Sequence, residues 1–424
     1  MMRGALLLPL LLVAAHALAA EHEALLPPTA VVRRVLLDLP LVRAGQDEIA
    51  QGEAQQRQLE AGPHEWALRL EGQRRQSREA ASEPDKRSHD WAVGLERAWR
   101  LPGKAALDRQ IGAEQRALAE AAAAERLHNG AGLLLESWFA WLRARERLAL
   151  VEASLTSLEQ ETQAMIRRHA LGDAAELERL QMEAALAQMQ AEHQARRADL
   201  QTAQARLEQR FPGLPLPERQ TLPPPPAPSG SFAAWEEALL THAPALQLAR
   251  LESRRSRLEA ERADRERFAD PSLGVRLARE KDGDDRLFGL TLTLPLGGAA
   301  RQAEADQRRA AANLASAREA QALRETRAAA HAAWQAAHGA WQAWQASQNA
   351  AARLRRAAEL QARAYALGEG SLAELLAARR LAFAAELDSR LAQLDAWETH
   401  YRLQLDRRAL WNFSPTSAEQ SPTP

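Results

Sequence analysis

The chain of 424 residues contains no cysteine, which excludes a disulfide framework, a cysteine-bound metal and a cysteine-linked lipid anchor. Neither sign of charge predominates: the chain has 55 basic and 56 acidic residues, for a formal net charge of −1. The overall charge therefore gives no indication of nucleic-acid binding. Beyond the N-terminal segment, no stretch of 18 uncharged apolar residues occurs, so the sequence predicts no membrane-spanning helix.

Catalytic motifs are absent as well. The sequence has no phosphate-binding loop, no Gly-x-Ser-x-Gly, no His-Glu-x-x-His and no dinucleotide-binding glycine pattern. We therefore expect no enzyme activity, no cofactor and no metal site. His331, Trp334, His338 and Trp341 share one helical stripe, but the two histidines lie about 10 Å apart along a helix, too far to share one metal. Coiled-coil packing is the favoured interpretation of this stripe, and a ring between subunits is the alternative.

The N-terminus has the pattern of an export signal. Arg3 precedes an almost unbroken apolar run over residues 5–18, and Ala17 and Ala19 are small residues at the −3 and −1 positions of a cleavage site. The sequence predicts a cleavable signal peptide over residues 1–19. Without cysteine, the exported protein is not a lipoprotein.

Two similar stretches organise the rest of the chain. Ala170-Leu171-Gly172-Asp173 matches Ala366-Leu367-Gly368-Glu369 at an offset of 366 − 170 = 196 residues. Each stretch lies between two long helical patterns with few glycines and prolines, of roughly 100 Å in the first case. Glycine can adopt the positive φ at which a chain leaves one helix and reverses into the next. We predict two antiparallel helical hairpins, over residues 104–211 and 299–410.

Heptad spacing predicts that the hairpin arms form coiled coils. In the first hairpin, Leu134, Trp141, Leu148 and Leu155 recur every seven residues. The first return seam, on the second arm of this hairpin, consists of Leu177, Leu180, Ala184, Ala187, Ala191, Ala198 and Ala205. The second return seam, on the corresponding arm of the other hairpin, consists of Leu372, Leu376, Phe383, Leu387, Leu391, Leu394, Tyr401 and Leu405.

Four short segments alternate apolar and polar residues, which is typical of strands. They cover residues 64–72, 89–97, 272–279 and 286–295, as two pairs that interrupt the helices at matching places. The chain thus divides into two similar repeats, 38–211 and 231–411, joined by a proline-rich linker over 212–230 and followed by a disordered tail over 412–424.

Four strands cannot close a barrel, and an open sheet edge cannot face lipid. If the strands span a membrane, other copies of the chain must complete them, and three copies supply 4 × 3 = 12 strands. Trp66, Trp91 and Phe288 on the apolar side suit a membrane interface or ordinary sheet packing. The alternative fold is a soluble two-layer domain with attached coiled coils.

An exported chain with two copies of helix, β-hairpin, long helix, Ala-Leu-Gly turn and return helix resembles the TolC-type outer-membrane efflux proteins. The stretches EWALRLEGQRR, GLERAWRLPGKAALDRQIG and FGLTLTLPLGGAARQAEA look closest to the cation-efflux (CzcC-like) branch. The resemblance implies a mainly α-helical protein, a homotrimer with a 12-stranded barrel in outer-membrane lipid of a Gram-negative bacterium, and a helical tunnel in the periplasm. It also implies a periplasmic adaptor and an inner-membrane pump, of the RND type, as partners.

The resemblance carries particular residues over. Ala170, Leu171 and Gly172, with Ala366, Leu367 and Gly368, fall at the turns where an adaptor would dock. Tyr365 and Glu178 occupy positions that form an aperture lock in the family, whereas the family's arginine two residues after the second glycine is replaced by Gly370. Glu374 falls at one of two acidic ring positions, and Ala377 at the other. The alternative interpretation of Glu374 is an ion pair with Arg379 or Arg380.

The predicted function is therefore a passive duct of a tripartite efflux pump, for heavy-metal cations or for drugs and other small molecules. The alternative is a periplasmic adaptor or a structural coiled-coil protein of an export system. An adaptor would have one helical hairpin flanked by β-rich segments, and the duplicated hairpins favour the duct.

Overall fold

The computed structural model describes residues 25–77, 86–217, 222–411 and 413. The predicted signal peptide over 1–19 lies outside the described residues, and so does the predicted tail except for Phe413. Across the described ranges, no helix combines the length and the apolar composition needed to cross a membrane.

Helices and strands follow the same order in both halves of the chain. The first half contains α1 (Thr29–Leu37), α2 (Pro40–Ala61), β1 (Ala67–Ser77), β2 (Lys86–Ala98), α3 (Lys104–Ala170) and α4 (Glu176–Arg210). The second half contains α5 (Phe232–His242), α6 (Pro244–Glu266), β3 (Ser272–Glu280), β4 (Asp285–Thr293), α7 (Ala299–Ala366) and α8 (Leu372–Asp406). The expected class, mainly α-helical with a small β part, is confirmed.

The residues group into two compact units, and each unit combines segments from both halves of the sequence. One unit contains Ala44–Ala123 and Pro244–Arg324, which include the four strands. The other contains the chain up to Arg43, Ala124–Ala243, and the residues from Glu325 onwards, which include both hairpin turns.

The strand unit is built on one antiparallel sheet with the strand order β1-β2-β3-β4. Strand β1 begins after Trp66 and continues to Ser77, so it starts and ends later than the alternating pattern indicated. The pattern ends at Gly72 because polar residues follow it, yet the ladder to β2 continues through them to Lys86. Strands β1 and β4 are the two edges of the sheet, and neither has a second neighbour among the described residues.

A buried lysine joins the sheet to the helices within this unit. Lys104, at the start of α3, is only 1% exposed and contacts the carboxylates of Asp270 at 2.8 Å and Glu266 at 3.0 Å. Its Nζ also donates to the carbonyl of Phe268 at 2.7 Å, and Asp270 bonds His64 at 2.8 Å. Removing one partner of such a buried ionic group leaves an uncompensated charge, so this network holds the strand ends against the helices.

The core of the other unit lies between α1, α3 and the C-terminal part of α8. Its largest fully buried side chains include Trp138, Phe139, Trp397 and Tyr401. The indole of Trp138 donates to the carbonyl of Leu25 at 2.9 Å, and that of Trp397 donates to the carbonyl of Pro223, in the linker, at 2.8 Å. Large aromatic side chains with satisfied N–H groups are what a rigid core requires.

The predicted seams differ in what covers them. On α3, Leu134, Trp141 and Leu148 are buried, and on α8 every residue of the second return seam is buried or half-buried. On α4, all seven residues of the first return seam are exposed. Heptad spacing correctly predicts which residues share a helix face, but one of these faces is not covered by any of the residues that the structure describes.

Candidate functional site at the hairpin turns

The first turn is shaped by one glycine and by two backbone hydrogen bonds that close it. Gly172 has a φ of +83°, and no atom lies within 4 Å of the position that a Cβ would occupy. The amide of Gly172 donates to the carbonyl oxygen of His169 at 2.9 Å, and the amide of Asp173 donates to the carbonyl oxygen of Arg168 at 2.8 Å. These two bonds form a Schellman motif, in which the left-handed residue satisfies the last carbonyls of α3.

The second turn repeats this geometry 196 residues later. Gly368 has a φ of +78° and the same open surroundings. Its amide donates to the carbonyl oxygen of Tyr365 at 3.0 Å, and the amide of Glu369 donates to the carbonyl oxygen of Ala364 at 2.9 Å. The backbones of the two turns are therefore equivalent bond for bond.

Each turn presents one leucine to solvent, next to an alanine that ends the helix. Leu171 is 78% exposed and Leu367 is 70% exposed. Ala170 and Ala366 are exposed as well. An exposed leucine beside a glycine with no side chain is a small apolar knob that another helix could cover.

The chain brings Tyr365 and Glu178 together across the two hairpins. The hydroxyl of Tyr365 donates to Oε1 of Glu178 at 3.2 Å. Burial raises the pKa of Tyr365, and the neighbouring carboxylate of Glu178 raises it further. The phenol therefore stays protonated and able to donate at neutral pH. The contact exists within one chain, and its role as an aperture lock stays a prediction.

Glu374 has a local role at the start of α8. Its carboxylate accepts from the amide of Ser371 at 3.0 Å and from Gln361 at 3.2 Å, while its own amide donates to the Ser371 hydroxyl at 3.2 Å. This reciprocal pair is a capping box. The hydrogen bonds from Ser371 and Gln361 lower the pKa of Glu374, so the group is ionised at neutral pH. The structure pairs it with neither Arg379 nor Arg380.

A small apolar cluster, the tip core, packs the two hairpins against each other beneath the turns. It consists of the buried residues Met165, Met182, Leu372, Leu375 and Leu376. Two methionines come from the first hairpin and three leucines from the second, so each hairpin covers the other. Methionine adapts to irregular gaps, which suits a contact between helix ends.

One ion pair near the turns was not predicted from the sequence. Arg379 of α8 binds Glu161 of α3, and the two residues are 218 positions apart in sequence. Burial lowers the pKa of Arg379, which still remains charged because guanidinium groups titrate far above neutral pH. No local motif marks a pair of this separation, so only the packing of the hairpins reveals it.

The histidine–tryptophan stripe forms part of a packed aromatic cluster. His331 lies edge-on to Phe232 at 4.9 Å between ring centroids, and Trp334 lies 4.7 Å from His338 and 5.9 Å from Trp235. Within the described part of the chain, no three histidine, aspartate or glutamate side chains come together as metal ligands.

The aromatic residues expected at a membrane interface are exposed. Trp66 is 58% exposed, Trp91 50% and Phe288 71%. Trp91 and Phe288 lie on one side of the sheet, and Trp66 directly precedes β1, with the guanidinium of Arg97 5.5 Å from its ring.

Three solved structures of outer-membrane proteins share this fold. The outer-membrane channel OprN matches with a TM-score of 0.71 and 19% sequence identity, over 92% of this chain and 92% of that one. VceC, an outer membrane protein of Vibrio cholerae, matches with a TM-score of 0.67 and 17% identity, over 90% and 95%. The CmeC outer membrane channel of Campylobacter jejuni matches with a TM-score of 0.64 and 16% identity, over 91% and 86%.

No protein-family model matches the sequence, and no curated protein matches it either. At the identities of the solved structures, the likeness establishes the fold. The chain has the fold of the outer-membrane channels, over nearly its whole length.

Proposed function

We propose that the protein is the outer-membrane channel of a tripartite efflux pump, a member of the TolC family that acts as a passive homotrimeric duct. In this proposal it is exported by its signal peptide to the outer membrane of a Gram-negative bacterium and extends into the periplasm. It binds no cofactor and does no chemistry. Energy comes from an inner-membrane pump, of the RND type, which reaches the duct through a periplasmic adaptor.

The observation that carries the proposal is the sheet, which is apolar and exposed on one side. Its apolar face consists of Leu68, Leu70, Trp91, Val93, Leu95, Leu273, Val275, Leu277, Phe288, Leu290 and Leu292. All of these except Val93 are exposed in the single chain. Its charged face contains the ion pairs Arg69–Glu96 and Arg276–Glu71, both at 2.9 Å. An exposed apolar face of this size on a sheet fits contact with lipid, and the charged face fits a water-filled lumen.

The two edge strands complete the argument for a trimer. Strands of 11, 13, 9 and 9 residues have the length of tilted membrane strands. In lipid, the free hydrogen-bonding groups along β1 and β4 need partners, because no water is present to satisfy them. Pairing β4 of one subunit with β1 of the next satisfies both edges, and three subunits would form a closed barrel of 4 × 3 = 12 strands.

The first return seam supports the same assembly on the helices. Its seven residues are exposed, although five of them are alanines, which allow close helix approach. The second return seam is covered within the chain. We assign the first return seam to the contact between subunits.

The turns are the proposed adaptor site. Leu171 and Leu367, with the adjoining Ala170, Gly172, Ala366 and Gly368, would contact the helical hairpins of the adaptor.

The Tyr365–Glu178 hydrogen bond would hold the two hairpins in the closed arrangement of the aperture. Three copies of the ionised Glu374 would favour cations in a narrow pore. Glu374→Gln should then lower cation conductance in planar bilayers, and unchanged conductance would remove the acidic ring.

The sequence resemblance to the cation-efflux branch makes heavy-metal cations the first substrate class to test, ahead of drugs and other small molecules. Cells that lack the protein should become more sensitive to the exported compound. Restoring the protein should restore resistance.

The test of the proposed function is the location and oligomeric state of the protein. We expect the expressed protein in the outer-membrane fraction, extractable only with detergent, and migrating as a trimer when it is not heated. A soluble periplasmic monomer would overturn the proposal and support an adaptor or structural role.

A matched pair of variants makes this test independent of expression level. Leu290 lies on the apolar face and Thr291 on the opposite face of the same strand. We expect Leu290→Arg to abolish membrane insertion, because an arginine facing lipid near the midplane costs about 2–4 kcal/mol, whereas Thr291→Arg should be tolerated. Leu290 is 71% exposed, so a soluble protein would tolerate both changes equally.

A further inference from the structure

Four arginines at one end of the sheet have no partner within the described chain. They are Arg74 on β1, Arg87 on β2, Arg279 on β3 and Arg286 on β4, and we call them the arginine belt. All four are exposed, and none makes a hydrogen bond or an ion pair with a described residue. Every strand of the sheet contributes one of them.

Arginines on the opposite face of the same sheet behave differently. Arg69 binds Glu96, Arg276 binds Glu71, and Arg75 binds both Asp90 and Glu280. Acidic residues are therefore available in the sheet, and they lie on the face that the arginine belt does not share. Among the described residues, the arginines without partners in the sheet therefore lie at one end of the apolar face, whereas Arg97 at the other end of that face donates to the carbonyl of His64 at 3.0 Å.

The belt directly continues the apolar face. On β1, β3 and β4, moving along that face towards the belt, the successive side chains are Leu68, Leu70, Gly72 and Arg74; Leu273, Val275, Leu277 and Arg279; and Leu292, Leu290, Phe288 and Arg286. On β2 the order is Leu95, Val93, Trp91, His89 and Arg87. Each strand thus passes from apolar residues to arginine at the same end.

The register places positive charges next to each other. Arg279 and Arg286 are direct cross-strand partners, and Trp91 lies beside Arg279 on the other side. Like charges directly opposite each other in a sheet repel and destabilise it. One carboxylate of the adjoining turn, that of Asp282, already accepts from the amide of His89 at 2.8 Å and lies 3.6 Å from its ring. An anion from outside the chain would relieve this repulsion.

We propose that the arginine belt binds the phosphorylated headgroups of lipids at the boundary of the membrane. Guanidinium groups bind phosphate oxygens in a bidentate manner, and their position next to the apolar face puts the acyl chains against the leucines. The proposal rests on the proposed function, because it requires the apolar face to contact lipid. It adds a partner, an anionic phospho- or glycolipid, and the residues that bind it.

The test compares two lipids on the trimer purified from the outer-membrane fraction in neutral detergent. The probes are a glycolipid with two phosphates (lipid A) and its dephosphorylated form, and native mass spectrometry counts the lipids retained. We expect the phosphorylated lipid to bind at least about tenfold more tightly, since each basic group near a charged membrane surface adds substantially to the attraction. This preference should shrink as the salt concentration rises.

Two fourfold variants separate the belt from a general loss of charge. The first replaces Arg74, Arg87, Arg279 and Arg286 with Gln. The control replaces four exposed helix arginines that also lack described partners, namely Arg318, Arg324, Arg353 and Arg363. We expect only the belt variant to lose the preference for phosphate. An equal preference in the belt variant would overturn the proposal.

Other outcomes are equally decisive. If wild-type protein binds both lipids equally, the belt is not a headgroup site. If inorganic phosphate displaces the lipid completely, the belt is a site for free anions and the lipid proposal fails. Absence of wild-type protein from the outer membrane would instead overturn the proposed function. Should the fourfold variant not assemble, Arg279→Gln/Arg286→Gln and the two-lipid comparison on wild-type protein still decide.

Discussion

The two hairpin turns have the same backbone and different side chains. Both are closed by a glycine at positive φ and by the same pattern of amide bonds. After the first turn, α4 begins with Glu176, Leu177 and Arg179. After the second, α8 begins with Leu372 and continues with Leu375 and Leu376, all buried in the tip core. The two turns therefore share one backbone conformation, whereas the surroundings of the two return helices differ.

This difference shows how one hairpin design serves two positions. The second return helix meets the first hairpin within the chain, and its leucines are covered there. The first return helix leaves its seam uncovered, which is the surface that we assign to another subunit. The comparison therefore separates contacts that fold the chain from the surface that we propose for assembly, and four predictions test that separation.

The largest expected effect is at a pair of equivalent leucines, Leu376 and Leu180, which are 8% and 49% exposed. We expect Leu376→Ala to lower the free energy of unfolding by about 2–4 kcal/mol, because it opens a cavity in the tip core. Leu180→Ala should lower it by less than about 1 kcal/mol and instead weaken the resistance of the trimer to dissociation. Denaturant unfolding followed by circular dichroism, with unheated gels, measures both. Equal effects on unfolding would contradict the division.

The next effect is at the two turn glycines. We expect Gly172→Val and Gly368→Val each to destabilise its turn by about 2 kcal/mol, since a β-branched residue is strained at positive φ. Efflux should be lost while trimers still form. Asparagine tolerates this backbone region, so Gly172→Asn and Gly368→Asn are the milder controls. Unchanged efflux in both valine variants would refute the assignment of the turns as the adaptor site.

Tyr365→Phe should have a smaller effect, of about 1 kcal/mol, by removing the one hydrogen bond from Tyr365 to Glu178. The pKa of Tyr365 in the folded protein is raised above its unfolded value near 10. The hydrogen bond therefore contributes its full stability below about pH 10, and this contribution is lost as the pH rises through the folded-state pKa. We expect the conductance of wild-type channels to increase above about pH 10.

The phenylalanine variant should already conduct more at neutral pH and lack that increase. His169 is the equivalent residue on the first hairpin. Its Nδ1 lies 3.0 Å from the carbonyl of Ala174 and its Nε2 lies 3.1 Å from the carboxylate of Glu176, so both contacts stay within the first hairpin. His169→Phe is therefore the control and should leave the pH response intact. A response that survives Tyr365→Phe would assign it to another group.

The smallest effect concerns the helix caps. Ser371 caps α8, whereas the equivalent Ala175 has no side-chain acceptor, and only its amide bonds Glu178, at 3.3 Å. We expect Ser371→Ala to destabilise its hairpin by about 0.5–1 kcal/mol and Ala175→Ser to stabilise the other by a similar amount. Thermal unfolding of the two variants and of the double variant measures this. If Ala175→Ser brings no gain, the missing cap is not what distinguishes the two turns.

Much of the fold follows from local patterns. Few glycines and prolines across the arms predict the long helices, and the glycine in each Ala-Leu-Gly stretch predicts the turn. The same patterns fail where a polar segment forms part of a strand, as in the second half of β1. No apolar residues alternate with polar ones there, so the sequence gives no sign of a strand. Family resemblance predicts the contact between Tyr365 and Glu178. No rule of residue spacing predicts it, because the two residues are 187 positions apart in sequence.

The sequence by itself determined the helices, the turns and which residues share each helix or strand face, because these depend on spacing and on glycine. Only the tertiary structure decided which faces are covered. It covered the second return seam and exposed the first. It paired the arginines of one sheet face and left the arginine belt without partners among the described residues. Such outcomes depend on which distant segments meet, and periodicity carries no information about that.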